Sequence, residues 1–374
     1  MRILITGANG FVGKNLTAHL LACGEHTLLL CDLDTSDAQL AAWCREAEFV
    51  FHLAGVNRPE KPEDFLSGNR DFPAVLLSHL EEAGNPCPIM VSSSIQAELD
   101  NPYGRSKKAG EALFLTHAER TGAPLYLFRF PNIFGKWSRP NYNSAVATFC
   151  YNTARGLPIR VDNRDTVLRL IYIDDVLSLL TGLLKGTCVR DGDFCIPTPV
   201  HTAKLGWIAD TILSFPKTRE NRSIPDLSDP LTRDLYATYL SFLPEDAFSY
   251  PLVMHTDARG SFTEVIRTPD RGQVSINVSR PGITKGNHWH HTKNEKFLVV
   301  SGTGIIRFRH PDSSEVLEYP VSGNQLTVVD IPTGYTHSIE NTGETDLVTL
   351  MWASECFDPD HPDTFPLPVL PESR

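Results

Sequence analysis

Over roughly the first 130 residues, short aliphatic runs alternate with longer stretches whose apolar positions recur at helical spacing. The runs at residues 2–6, 27–31, 49–53, 89–92 and 125–129 are apolar through their interiors, as strands buried on both faces must be. The stretches between them, such as residues 13–23 and 74–83, predict covering helices. Together they predict an α/β unit built on a doubly wound parallel sheet. The pattern is less regular over residues 131–239, where helical segments at 144–155, 174–184 and 203–213 are broken by Pro and Gly. It changes again from about Ser249. Alternating runs at residues 273–278, 296–300, 304–309, 325–331 and 346–352 then follow one another with Gly, Pro and Asn between them. Such spacing predicts an all-β barrel or sandwich. The two patterns divide the chain into residues 1–244 and 245–374, ending in a Pro-rich segment, 357–374, that predicts extended chain.

Composition narrows the function classes. The 374 residues are 41% hydrophobic and 21% charged, the balance of a globular protein. A formal net charge of −11 with no Lys/Arg-rich run disfavours nucleic acid or an anionic membrane surface as partner. The eight cysteines are scattered without a C-x-x-C pair, as buried thiols in a reducing compartment are. The first residues read as a strand rather than a signal peptide, and no 18-residue apolar stretch occurs. These features predict a cytoplasmic protein.

Gly7-Ala8-Asn9-Gly10-Phe11-Val12-Gly13 follows the first strand and opens the first helix. Small residues there let the backbone approach a pyrophosphate, and the helix start offers free N–H groups and a positive dipole end. Asp32, at the end of the second strand and 19 residues past Gly13, is either a ribose-hydroxyl acceptor or a solvated loop acid. Tyr103 and Lys107 lie one helical turn apart on one face, an arrangement in which the ammonium favours phenolate and the phenol exchanges a proton. A hydroxyl from Ser92-Ser93-Ser94 is placed to hold a substrate carbonyl or carbinol oxygen. Residues 1 to about 240 resemble the extended short-chain dehydrogenase/reductases, the family of nucleotide-sugar epimerases, dehydratases and reductases. The likeness rests on T-G-x-x-G-x-x-G at residues 6–13, His52-Leu53-Ala54-Gly55, the serine run, Y-x-x-x-K, Arg129-Phe130-Pro131-Asn132-Ile133-Phe134-Gly135 and Arg169-Leu170-Ile171-Tyr172-Ile173-Asp174-Asp175. It implies a Rossmann-type fold and a dinucleotide held by Gly7, Asn9, Gly10, Phe11, Val12, Gly13, Asp32, Leu53, Ala54 and Gly55, with Tyr103 and Lys107. It also implies catalysis by Ser94, Tyr103 and Lys107, and sugar-nucleotide contacts from Asn132 and Arg169. Only nine positions separate Ser94 from Tyr103, closer than is usual in the family, so Ser93 stays open as the substrate-binding serine.

The C-terminal part carries different chemistry. His288 and His290 sit two apart, which on a strand points them the same way, and Glu295 and His337 can converge on them from neighbouring strands. Three imidazoles and a carboxylate suit zinc or another divalent metal such as iron, manganese or nickel. The stretch from Gly282 to Gly302 resembles the first cupin motif, G-x5-H-x-H-x4-E-x6-G. Pro332, Gly334, His337 and Asn341 resemble the second, P-x-G-x2-H-x3-N. A jelly-roll cupin barrel is therefore implied. Asp257-Ala258-Arg259-Gly260-Ser261-Phe262 further resembles the start of the deoxy-sugar 3,5-epimerases. Their R-G-x-H base aligns with Lys285-Gly286-Asn287-His288. His288 is then ligand or base, with His291 a spare imidazole for the other role.

The order of the domains, with Asn57-Arg58-Pro59-Glu60, Pro140-Asn141-Tyr142-Asn143-Ser144 and residues 286–295, resembles over essentially the whole chain the CapF-type bifunctional enzymes of capsular-polysaccharide and O-antigen synthesis. That resemblance implies a UDP-amino-sugar substrate. The cupin would invert C3 of a UDP-2-acetamido-2,6-dideoxy-4-ketohexose, and the reductase would reduce C4 to give UDP-2-acetamido-2,6-dideoxy-L-talose, a precursor of N-acetyl-L-fucosamine. It implies NADPH as the cofactor, whereas the acids of Cys31-Asp32-Leu33-Asp34 favour NADH. A homodimer is expected, since cupins and these reductases commonly pair. Two alternatives stand beside this: a non-catalytic cupin used for binding or dimerisation, and a UDP-sugar 4-epimerase that retains its nucleotide.

Overall fold

The computed structural model describes residues 1–59, 61 and 64–370; Glu60, one of the residues behind the family resemblance, and the end of the tail at 371–374 lie outside them. Two compact units form, one from Met1–Ser214 with Ser228–Glu245, the other from Phe215–Leu227 with Asp246–Arg374. The division expected after residue 244 therefore differs over Phe215–Leu227. An ion pair holds that stretch to the β-rich unit: Arg222 meets Glu264 at 2.8 Å, and the Arg222 carbonyl accepts from the Arg267 amide. Among the described residues no helix is long and apolar enough to cross a membrane.

In the first unit, β1 (Arg2–Thr6), β2 (Thr27–Cys31), β3 (Phe49–His52), β4 (Ile89–Ser94) and β5 (Leu125–Phe130) pair in parallel in the order β2-β1-β3-β4-β5. Alternate residues feed opposite faces. Ile3, Ile5, Phe49 and Phe51 pack under the helices Phe11–Cys23 and Ile173–Leu183, while Leu4, Val50, Ile89 and Val91 pack under Asp37–Glu46 and Phe72–Glu82. Burying one such side chain contributes about 1.5–3 kcal/mol, which is why these strands are apolar throughout. Further along the chain come β6 (Asn132–Phe134), β7 (Val167–Tyr172), β8 (Arg190–Asp191), β9 (Phe194–Cys195) and β10 (His201–Lys204). β8 and β9 extend the main sheet beyond β5, and β10-β7-β6 forms a small separate sheet. Strand order reverses between β1 and β3. In open α/β sheets ligands bind outside the carboxyl ends of strands at such a switch point.

The second unit is antiparallel throughout, a cupin-like β domain. Its strands are β11 (His255–Asp257), β12 (Gly260–Thr268), β13 (Gly272–Ser279), β14 (Thr284–Trp289), β15 (Glu295–Ser301), β16 (Thr303–Arg309), β17 (Val316–Ser322), β18 (Val328–Ile331), β19 (Thr336–Asn341), β20 (Leu347–Ala353) and β21 (Phe365–Pro366). They form two sheets, β11-β12-β13-β20-β15-β18 and β17-β16-β19-β14-β21. The tail is more than extended chain, because β21 pairs with β14 and closes the edge beside His288 and Trp289. Phe297, Ile306, Phe308, Ile331, Ile339 and Leu347 make an apolar plug. Gln273, Ser275, Asn277 and Ser279, buried along β13, are polar instead. A polar interior needs internal partners, or a ligand that supplies them.

Candidate active sites

At the switch point the chain has almost no room for side chains. Gly7 is left-handed (φ +68°), and a Cβ there would lie 2.8 Å from Ala54 Cα; a Cβ on Gly13 would lie 2.1 Å from the Gly7 carbonyl oxygen. These glycines let the first turn fold onto the loop after β3, leaving backbone N–H groups facing a cleft. The cleft, of ≈ 1290 Å³, is lined by Gly7, Asn9, Gly10, Phe11, Val12 and Gly13 on one side, with Leu53 and Gly55 beside them. Ala54 contributes the backbone against which Gly7 packs. Asp32 stands outside the lining but next to it. Its Oδ2 accepts from the Asn9 amide at 2.7 Å and its Oδ1 from the Leu33 amide at 2.9 Å.

Ser93, Ser94, Tyr103, Lys107 and Asn132 line the same cleft. A single 3-10 turn, Ile95–Glu98, leads from β4 toward the helix Pro102–Thr121, which Asn101 caps by accepting from the Gly104 amide at 2.8 Å. That short path brings Tyr103 to Ser94 despite the nine-residue spacing, and the Ser94 hydroxyl interacts with the phenol. The Ser93 hydroxyl is buried and committed within the protein, donating to Glu111, which also takes a two-pronged ion pair from Arg129. The Tyr103 hydroxyl donates to Asn57 Oδ1 at 3.0 Å, a partner that motif spacing did not single out.

The expected lowering of the Tyr103 pKa by Lys107 is not found. Burial pushes the phenol up to about 12, against a smaller opposing effect of Ser94. Burial likewise brings Lys107 down to about 8, and its Nζ donates to the Ser92 carbonyl at 3.2 Å. Tyr103 is thus a protonated donor at neutral pH. Arg169 is also corrected. Thr166, Leu168 and Leu170 line the cleft, so strand alternation turns the exposed Arg169 to the other face of β7. Arg139, Arg160 and Asn163 line the cleft instead; no local motif marks them.

In the barrel, β14 carries a bulge. Asn287 is the extra residue, left-handed at φ +59°, and Gly286 before it runs so close to β19 that a Cβ would lie 2.7 Å from the His337 carbonyl oxygen. The bulge sets His288 opposite His337 in register. Donor atoms of His288, His290, Glu295 and His337 then all fall within 4.8 Å of one another. Glu295 Oε2 lies 3.3 Å from His337 Nε2 and 3.5 Å from His290 Nε2. His290 Nε2, Glu295 Oε2 and both His337 ring nitrogens are buried without a hydrogen-bond partner. Each such orphan costs about 1–3 kcal/mol. A divalent cation would relieve several together, so the donor set fits a metal. Burial, then His337 and His290, hold His288 down to about 4, hence neutral. Burial alone would raise the Glu295 pKa, but the two imidazoles keep the carboxyl below its usual range.

His290 is aimed from behind. Its Nδ1 bonds the Asp363 carbonyl, while the Asp363 carboxylate accepts from the amides of His291 (2.9 Å), Thr292 (2.8 Å) and Lys293 (2.8 Å). Sequence reading missed Asp363 because it lies some seventy residues from the loop it pins. Asp363→Ala keeps the carbonyl that His290 Nδ1 bonds but frees the loop 291–293 that aims the ring. It should weaken metal retention about 10-fold, the low end of the cost of disturbing an outer partner of a ligand histidine. Chelator competition on the folded variant checks this, and wild-type retention would contradict it.

The four residues open on a cavity of ≈ 900 Å³ that Lys285, Asn277, Gln273 and Arg259 also line. Lys285 Nζ donates to Asn277 Oδ1 and the Val278 carbonyl, both at 2.8 Å. His291 is a correction. It lies outside this lining, exposed, with its ring against Trp289 and Phe365 at 4.4 and 4.8 Å.

Residues 3–187 match the NAD dependent epimerase/dehydratase family, and residues 255–365 match the polysaccharide biosynthesis C-terminal domain. The chain is 44% identical over 365 residues to UDP-2-acetamido-2,6-beta-L-arabino-hexul-4-ose reductase of Pseudomonas aeruginosa, covering 98% of each. It is similar to the crystal structure of the capsular polysaccharide assembling protein CapF from Staphylococcus aureus, with 51% identity, a TM-score of 0.94, and coverage of 99% of this chain and 100% of that one. A CapF structure with the inhibitor 3-isopropenyl-tropolone aligns at 47% identity with a TM-score of 0.89, again over 99% and 100% of the two chains.

Proposed function

The chain belongs to the CapF-type family of nucleotide-sugar enzymes of capsule biosynthesis, and on that premise we propose that it carries out two successive reactions on one UDP-ketosugar. The barrel inverts C3 of a UDP-2-acetamido-2,6-dideoxy-4-ketohexose, and the first unit reduces C4, giving UDP-2-acetamido-2,6-dideoxy-L-talose. One observation carries this reading: each unit holds its own cavity with its own proton-transfer groups. A nicotinamide dinucleotide bound at the glycine turn supplies hydride. Tyr103, protonated at neutral pH, gives its proton to O4, and the Ser94 hydroxyl holds that oxygen. In the barrel a 4-ketone acidifies the neighbouring C3–H. A bound divalent cation such as zinc supplies positive charge, and His290, Glu295 and His337 would hold it. His288, the half-buried imidazole facing the cavity, either completes that set or removes the C3 proton, and Lys285 adds positive charge nearby. Reprotonation from the opposite face completes inversion.

Incubating the ketosugar with reduced nicotinamide tests the proposal. One equivalent of nicotinamide should be oxidised per sugar, with NMR couplings of the talo configuration in the product. Release of a ketosugar inverted at C3 with no nicotinamide consumed would remove the reductase step from the first unit. A reduced product with C3 unchanged would leave the barrel a binding module.

A further inference from the structure

The corner of the first unit where the adenosine ribose of a dinucleotide comes to rest, at the end of β2 beside the glycine turn, is acidic. We infer that this chain selects NADH over NADPH, with Asp32 as the specificity-determining residue; the inference rests on the reading of the glycine turn as a dinucleotide site. The Asp32 side chain is fixed. Its two oxygens are held by the amides of Asn9 and Leu33 at 2.7 and 2.9 Å, so one of them is tied to the turn that approaches the pyrophosphate. Its backbone is pinned as well, the amide donating to Thr35 Oγ1 and the carbonyl accepting from the Thr35 amide, each at 3.0 Å. A carboxylate held this way cannot swing aside for an incoming anion. Each oxygen keeps a further lone pair, enough for the two ribose hydroxyls of NADH.

NADPH would put a 2′-phosphate, about −1.5 to −2 in charge, where that hydroxyl sits. The segment around β2 is acidic: residues 24–44 contain no Lys or Arg, but do contain Glu25, Asp32, Asp34 and Asp37. Lys14 and Arg58 line the cleft shared with Tyr103, and Arg58 follows Asn57, the partner of the Tyr103 phenol. Arg58 therefore belongs to the reacting end, while Lys14 follows Gly13 in the first turn of the helix Phe11–Cys23, on the pyrophosphate side rather than at the end of β2.

Calorimetric titration of the full chain with NADH and with NADPH, without sugar, tests this independently of turnover. NADH should bind at least about tenfold more tightly, the scale of one close like-charge contact. Asp32→Asn keeps an acceptor for the Asn9 amide but removes the charge and should narrow the gap; Asp32→Arg should close or reverse it. Equal or tighter NADPH binding by the wild type, or an unchanged ratio in both variants, overturns the inference. If neither dinucleotide binds, the dinucleotide-site reading beneath it falls.

Discussion

Tyr103→Phe should lower the rate of C4 reduction by about 10²–10⁴-fold, the range usual for removing a positioned general acid. Phenylalanine preserves the ring, which packs 5.7 Å from that of Phe65, so the helix and cleft should keep their shape. What disappears is the hydroxyl, the group between Asn57 and Ser94 that can donate to a developing alkoxide. Because phenylalanine keeps the ring in place, dinucleotide affinity should change far less than the rate. The loss should appear in kcat rather than KM, the signature of an interaction made only in the transition state. Stopped-flow absorbance of nicotinamide oxidation measures it. A residual rate within a few-fold of wild type would remove Tyr103 from the proton path.

The second large effect lies in the other unit. His337→Ala should take the barrel from a metal-bearing to a metal-free state and cut C3 proton exchange by about 100-fold or more, above the cost of losing only an outer partner. His337 is almost fully buried, and neither ring nitrogen makes a hydrogen bond within the protein, although Nε2 faces Glu295 Oε2 at 3.3 Å. Removing it leaves Glu295 beside His290 alone and deprives the cation of the donor facing His288 across β14 and β19. Elemental analysis after dialysis reports the metal. Reduction of a ketosugar already inverted at C3 should continue at the wild-type rate, since the first unit has its own cleft. A full complement of metal in the variant would rule His337 out as a ligand.

The sequence exposed some of this architecture and hid the rest for identifiable reasons. The five main strands lie within two residues of their expected limits, because burial on both faces leaves an unbroken apolar run. The helix expected over residues 203–213 begins instead at Leu205, since His201–Lys204 is committed to β10. The helices Asp37–Glu46 and Pro230–Ser241 have polar outer faces and little apolar periodicity; their signal is the caps, Ser36 and Asp229, each accepting from an amide three residues on. The histidine cluster was legible because the spacing of His288, His290 and Glu295 is local and the barrel adds only His337. Arg169 lies on the other face of β7 from the cleft because alternate strand residues face opposite ways, and His291 lies outside the cavity because it follows the end of β14 in an exposed bend. Asp363 was invisible as a site residue, since its role arises from contacts that tertiary folding creates.

The division of labour between the two units is tested most directly by NMR of the ketosugar with the Tyr103→Phe variant in heavy water. Two independent sites require deuterium to replace the C3 proton at close to the wild-type rate while nicotinamide goes unconsumed. Retention of the C3 proton in that variant, with its metal still bound, would contradict a C3 epimerase in the barrel.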